Sequence, residues 1–81
     1  MKYILITYHM DKIDPDLGTS VESAETCIRL PMRQKLADRV LELGPYRLPF
    51  EVKLTLVHIA ELQGYRYSGA TDLREVSLWE Q

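Results

Sequence analysis

Cysteine is nearly absent from this chain of 81 residues, in which Cys27 is the only one. A single thiol cannot form an internal disulfide, so the disulfide framework typical of small secreted proteins is excluded and a reducing compartment is favoured. Long apolar runs are also missing, because no segment approaches the ~20 residues that a membrane-spanning helix needs. The N-terminus lacks a long hydrophobic region followed by a small-residue cleavage site. We therefore expect a cytoplasmic protein that is not in a membrane.

Signals of catalysis are missing as well. The sequence contains no phosphate-binding loop, no established metal-ligand spacing and no signature around a nucleophile. Strong positive charge is absent too, since the formal net charge is −2, which argues against a dedicated nucleic-acid binder. We expect no cofactor, and a binding protein is favoured over an enzyme.

The overall composition is that of a folded domain. Hydrophobic residues make up 46% of the chain and charged residues 27%, which argues against disorder. We expect one domain over residues 1–81. A core of this size supplies only ~3–5 kcal/mol of stability, so a homodimer contact would add what the core lacks.

The longest apolar-rich segment is Leu48–Tyr65, and it has two interpretations. Pro49 and Gly64 stand where the start and the C-terminal left-handed residue of a helix are expected, which predicts a largely buried helix, apolar on two faces, over 49–63. Alternating apolar residues, beginning at Phe50 and Val52, equally fit a strand. The end signals and a length beyond the usual ~5–6 residues of a strand favour the helix.

The remaining elements follow from the same kinds of pattern. Lys2–His9 predicts a strand with two apolar faces, hence a central one, followed by a loop over 10–18. Residues 20–25 are ambiguous, but the alternation from Thr26 to Leu30 predicts a second strand. We predict a helix from Pro31 to Leu43, a turn region over 65–71 and a last strand over 74–80. The predicted fold class is α+β, in the order β-β-α-α-β (alternatively β-β-α-β-β), with helices on one face of a small antiparallel or mixed sheet.

Oxygen and nitrogen ligands cluster after the first strand. They are His9, Asp11, Asp14 and Asp16, and such groups suit a divalent cation. The spacing does not meet the calcium-loop motif, because Thr19 occupies the position that needs glycine. A solvated loop is the simpler interpretation; a metal-binding protein or metal-dependent hydrolase is the alternative.

Two further residues, His58 and Cys27, have side chains that could take part in catalysis. His58 lies within the main apolar segment, where a neutral imidazole in the core or at an interface is the usual finding. A general base is the alternative, since the unperturbed pKa of histidine is near 6.5. Cys27 with either histidine would make a nucleophile and base, but no signature surrounds it, so a partly buried strand thiol is the expected role.

Tyr-Arg pairs flank both ends of the main segment. The candidate partner-binding residues are Tyr46, Arg47, Tyr65, Arg66 and Tyr67. Tyrosine and arginine are enriched among binding hot spots, because each offers a large contact area and directional hydrogen bonds. If the segment is a helix, the two loops form separate contact points ~24 Å apart.

These observations favour a small intracellular, non-enzymatic protein that binds another protein. An adaptor or an inhibitor of a larger protein fits, and phage or mobile elements encode inhibitors of this size. The alternatives are the metal protein above and a structural homo-oligomer.

Overall fold

The computed structural model describes residues 1–77 and has two layers, a three-stranded antiparallel sheet and two helices on one of its faces. The elements in chain order are β1 (Lys2–Ile13), β2 (Ser20–Met32), α1 (Gln34–Leu43), a 3₁₀ turn (Pro45–Arg47), α2 (Phe50–Leu62) and β3 (Arg66–Val76). The α+β class and the order β-β-α-α-β predicted from the sequence are confirmed, with the 3₁₀ turn as an addition.

β1 is the central strand, in the sheet order β2-β1-β3. Its even positions face the helices, and Ile4 and Ile6 are fully buried there. Its odd positions, such as Leu5, are only half-buried, because no layer of the described residues covers that side. We call this side of the sheet the open face. Apolar residues at both parities thus correctly predicted a central strand.

The hairpin between β1 and β2 is longer than the sequence predicted. Residues 10–13, expected in a loop, continue β1 and pair with β2, so that part of the prediction is wrong. The reversal is confined to residues 14–19, because the Asp14 carboxylate accepts the backbone N–H of Asp16 at 2.8 Å and Gly18 adopts a φ of 68°. Because the Asp14 side chain stabilises the turn, the reversal needs fewer residues than the loop predicted from the polar composition of this segment.

α1 begins later than predicted. Pro31 does not open the helix but is still in β2, opposite Tyr3. The first helical hydrogen bond runs from the Ala37 N–H to the Arg33 carbonyl oxygen at 2.9 Å. The predicted end is confirmed, since Gly44 follows Leu43 with a φ of 84°.

The main apolar segment is a helix, as the end signals indicated. Pro49 is the N-cap residue of α2, and Gly64 follows the helix with a φ of 81°. The buried residues of α2 are Val52, Leu56 and Ala60, at the spacing of one helical face. Within residues 1–77, neither helix has the length and apolar character that a membrane crossing requires.

β3 departs most from prediction. It already starts at Arg66, so the turn region expected over 65–71 is wrong. Its pairing with β1 skips a residue at two places, Ser68 and Thr71, where the strand bulges. Each bulge shifts the following residues to the opposite face of the sheet, so the sequence lacks the regular apolar–polar alternation that predicts a strand. Residues 78–80 of the predicted last strand lie outside the described residues.

Candidate functional site

An open cleft lies between the 3₁₀ turn and β3. Gly44, with its positive φ, and Pro45 redirect the chain after α1, so that the turn packs against the edge of the sheet. The cleft has a volume of about 290 Å³ and is lined by Pro45, Tyr46, Arg47, Leu48, Lys53, Tyr67, Ser68, Gly69 and Ala70. It is the point where the irregular part of β3 meets the connection between the helices.

The lining of the cleft is aromatic and cationic. Among the described residues of its lining, Arg47 and Lys53 are charged and none is a carboxylate. Tyr46 is 83% exposed, so its ring is available to a partner. The Tyr67 ring, by contrast, packs 6.0 Å from the Tyr8 ring at 41°, and burial raises the pKa of the Tyr67 hydroxyl. Tyr67 is therefore held in place in the lining of the cleft, whereas the side chain of Tyr46 is accessible to a partner.

An apolar stripe runs along the outer face of α2 beside the cleft. It consists of Phe50, Leu54 and Val57, whose spacing places them on one helical face. Phe50 is 76% exposed and Leu54 41%. Lys53 joins stripe and cleft, because it lines the cleft and lies three residues from Phe50 on the helix surface. We refer to these three apolar residues as the outer stripe.

The sequence indicated that α2 is apolar on two faces but predicted that it would be largely buried. That prediction is wrong for the outer stripe, because the described residues form a single helical layer and place nothing above it. The signal that could have located the stripe was the second apolar face itself. The contribution of Lys53 had no sequence signal.

The five predicted partner-binding residues divide into two groups. Tyr46, Arg47 and Tyr67 line the cleft, whereas Tyr65 and Arg66 line a separate depression near the end of α2. The Glu22 carboxylate raises the pKa of the Tyr65 hydroxyl. This second group connects α2 to the sheet.

The four predicted metal ligands are not brought together. His9 Nε2 lies 3.1 Å from a Glu25 carboxylate oxygen, and Asp11 accepts a 2.8 Å hydrogen bond from the Ser23 hydroxyl. Asp14 stabilises the hairpin turn, and the exposed Asp16 donates its backbone N–H there. Over residues 1–77, no group of three or more His, Cys, Asp or Glu side chains is placed to hold a metal ion.

Two expectations about reactive residues need correction. His58 is exposed on α2, because its position on the helix points away from the sheet, so the core interpretation is wrong and the interface interpretation stays a prediction. Cys27 is on a strand as expected but exposed rather than partly buried, because odd positions of β2 lie on the open face.

The chain matches no protein-family model, no curated protein and no solved structure. The cleft and the outer stripe together offer exposed aromatic and aliphatic contacts beside two cations.

Proposed function

We propose that the protein is a non-enzymatic protein-binding protein, an adaptor or inhibitor, that engages its partner through the cleft and the outer stripe. The observation that carries this proposal is the exposure of three large apolar side chains, Tyr46, Phe50 and Leu54, beside Arg47 and Lys53. Contiguous exposed apolar surface with a polar border is typical of protein interaction sites.

The chemistry of the surface defines the partner. Phe50 and Leu54 offer apolar contact area, and their burial would contribute most of the affinity. Arg47 and Lys53 require negative charge opposite them, because cations removed from water need a counter-charge. The fitting partner is a protein segment in which an apolar side chain lies close to an aspartate or glutamate.

The shape of the cleft favours a protein over a small molecule. Its volume of about 290 Å³ is at the lower limit of ligand pockets, ~300 Å³ or more, and it is open to solvent. Tyrosine stacking with arginine also suits single-stranded nucleic acid. The net charge of −2 argues against that partner.

The test is capture of the partner from the native host by immobilised protein. We expect the wild-type chain to retain a protein that the Phe50→Ala/Arg47→Ala variant retains at least ~10-fold more weakly, the loss expected on truncating hot-spot residues. The matched control is Leu62→Ala/Arg66→Ala, which removes the same kinds of side chain elsewhere and should retain the partner. Equal retention by both variants, or recovery of nucleic acid instead of protein, would overturn the proposal.

A further inference from the structure

We propose that two copies of this chain pair through the outer edge of β2, antiparallel, with Cys27 of one copy directly opposite Cys27 of the second copy. The pairing would produce a continuous six-stranded sheet with all four helices on one face. This interface lies across the sheet from the cleft, and it does not rest on the proposed function.

The two edges of the sheet differ in how they are protected. β3 is interrupted by two bulges, and the 3₁₀ turn packs against it. Among residues 1–77, β2 has a neighbouring strand on one side only, and its register with β1 is unbroken from Met32 to Glu22. A long, regular edge offers a row of unpaired backbone N–H and C=O groups, the template on which another strand adds.

Symmetry restricts how β2 can pair with its own copy. Antiparallel edge pairing requires a two-fold axis perpendicular to the sheet, which leaves the helices of both copies on the same face. Side chains directly opposite each other in an antiparallel pair point to the same face. Opposed residues must therefore both be odd or both be even, so the axis passes through a residue position and not between two residues.

Charge selects one position among those allowed. With the axis at Cys27, Glu25 stands opposite Arg29 of the second copy, and the same pair recurs by symmetry. An axis at position 25 or 29 would instead oppose like charges, Glu25 to Glu25 or Arg29 to Arg29. Axes at Thr26 or Ile28 leave these two charges opposite uncharged residues. Only the axis at Cys27 gives two opposite-charge pairs, which stabilise a sheet.

Both charged side chains are already held on the open face of the sheet. The Glu25 carboxylate pairs with His9 Nε2 at 3.1 Å. The Arg29 guanidinium carbon lies 5.8 Å from the centre of the Tyr3 ring. Arginine has five N–H donors, so contact with a carboxylate across the axis is compatible with its place over the ring.

The same register uses all of the regular strand and covers its apolar side. The unbroken segment from Glu22 to Met32 is centred on Cys27, so no residue of it is left over. On the helix side, half-buried Ile28 would oppose Thr26 of the second copy, and half-buried Leu30 would oppose Ala24. Residues that the helices cover incompletely would thus lose further exposed area in the dimer.

Charge exchange tests the register. In sedimentation or light scattering, we expect the wild-type chain to have twice the 9.4 kDa of one chain. Glu25→Arg alone and Arg29→Glu alone should each weaken dimerisation by at least ~10-fold, because each creates two like-charge pairs. Mixing the two single variants should restore a dimer, as should the Glu25→Arg/Arg29→Glu double variant. Restoration also shows that the single variants are folded.

Oxidation of Cys27 supplies an independent readout. Opposed residues in antiparallel strands have Cα atoms ~4.5–5.5 Å apart, within the range of a disulfide. The oxidant diamide, which takes up the two electrons and two protons of two thiols, should therefore link two wild-type chains covalently. The matched control is Cys27→Ser/Ser23→Cys, whose thiols would be eight residues apart along the strands, ~26 Å, and should not link.

Three results would overturn the proposal. One is a wild-type chain that stays monomeric at millimolar concentration, in which case the edge charges protect β2 from pairing. Another is a dimer that neither single charge variant weakens. The third is diamide linkage that is as fast in the Ser23→Cys control as in the wild type.

Discussion

The backbone N–H of Tyr65 donates a 2.9 Å hydrogen bond to the carbonyl oxygen of Ala60, and the Gly64 N–H donates one of 2.9 Å to Glu61. These two bonds form the Schellman motif that ends α2. They reverse the chain directly into β3, which returns past the 3₁₀ turn to form one wall of the cleft. The end of α2 thereby determines where the proposed binding surface lies.

Gly64→Ala should destabilise the fold by about 1–2 kcal/mol, because a φ of 81° is costly for a residue with a Cβ atom. Gly69→Ala is the matched control. At both glycines an added Cβ meets no atom of residues 1–77 within 4 Å, but of the two only Gly64 has a positive φ. Urea unfolding of both variants measures the difference, and equal free energies of unfolding would contradict the role of the motif.

Leu56→Ala should cost about 2–5 kcal/mol, because Leu56 is fully buried and truncation leaves a cavity beneath α2. Leu62→Ala on the same helix should change the free energy of unfolding by no more than about 0.5 kcal/mol, since Leu62 is 88% exposed. Denaturant titration compares them. Similar losses in both variants would show that the helix packs by a different face.

Stability should fall as the pH rises above about 10. Burial raises the pKa of Tyr8 and of Tyr67, and the Glu22 carboxylate raises that of Tyr65. The unfolded chain therefore loses these protons first, so stability is fully present below the unfolded pKa and is lost as the pH rises through the folded values.

Unfolding free energies of the wild type and of Tyr8→Phe, measured between about pH 8 and about pH 11, test this alkaline loss. The variant lacks one ionising hydroxyl and should lose less stability over that interval. If the free energy of unfolding fell equally with pH in the two proteins, ionisation of Tyr8 would not contribute to the alkaline loss of stability.

Divalent cations should leave the melting temperature unchanged. His9 and Asp11 contact residues of β2, and Asp14 stabilises the hairpin turn, so binding a cation would require these contacts to break. Thermal unfolding with millimolar Mn²⁺, Zn²⁺ or Ca²⁺ measures this directly, because a ligand of the folded state raises the melting temperature. A rise that disappears in Asp11→Asn would instead support the metal-binding alternative.

Local signals predicted much of the fold. The two apolar faces of β1 indicated a central strand, and Pro49 with Gly64 located both ends of α2, because these residue types act through their own backbone geometry. The prediction that Pro31 starts a helix was wrong for the same reason. The fixed φ of proline suits the start of a helix and also the end of an edge strand. Only the pairing of Pro31 with Tyr3 distinguishes the two.

What the sequence could not predict depends on tertiary pairing. The bulges at Ser68 and Thr71 exist only relative to β1, so β3 resembled a turn. Arg47 and Tyr67 line the same cleft although they are 20 positions apart in the sequence, and no local sequence pattern indicates that they lie close together. The outer stripe was visible as apolar residues, but its exposure depends on the number of layers in the fold.

The most direct test of the binding proposal is amide hydrogen exchange of the chain, free and with the captured partner. The proposal predicts that slowed exchange on binding is concentrated in the 3₁₀ turn, in the first half of α2 and at residues 67–70. Slowed exchange confined to the open face or to the hairpin turn at Asp14, with the 3₁₀ turn and the outer stripe unchanged, would contradict it.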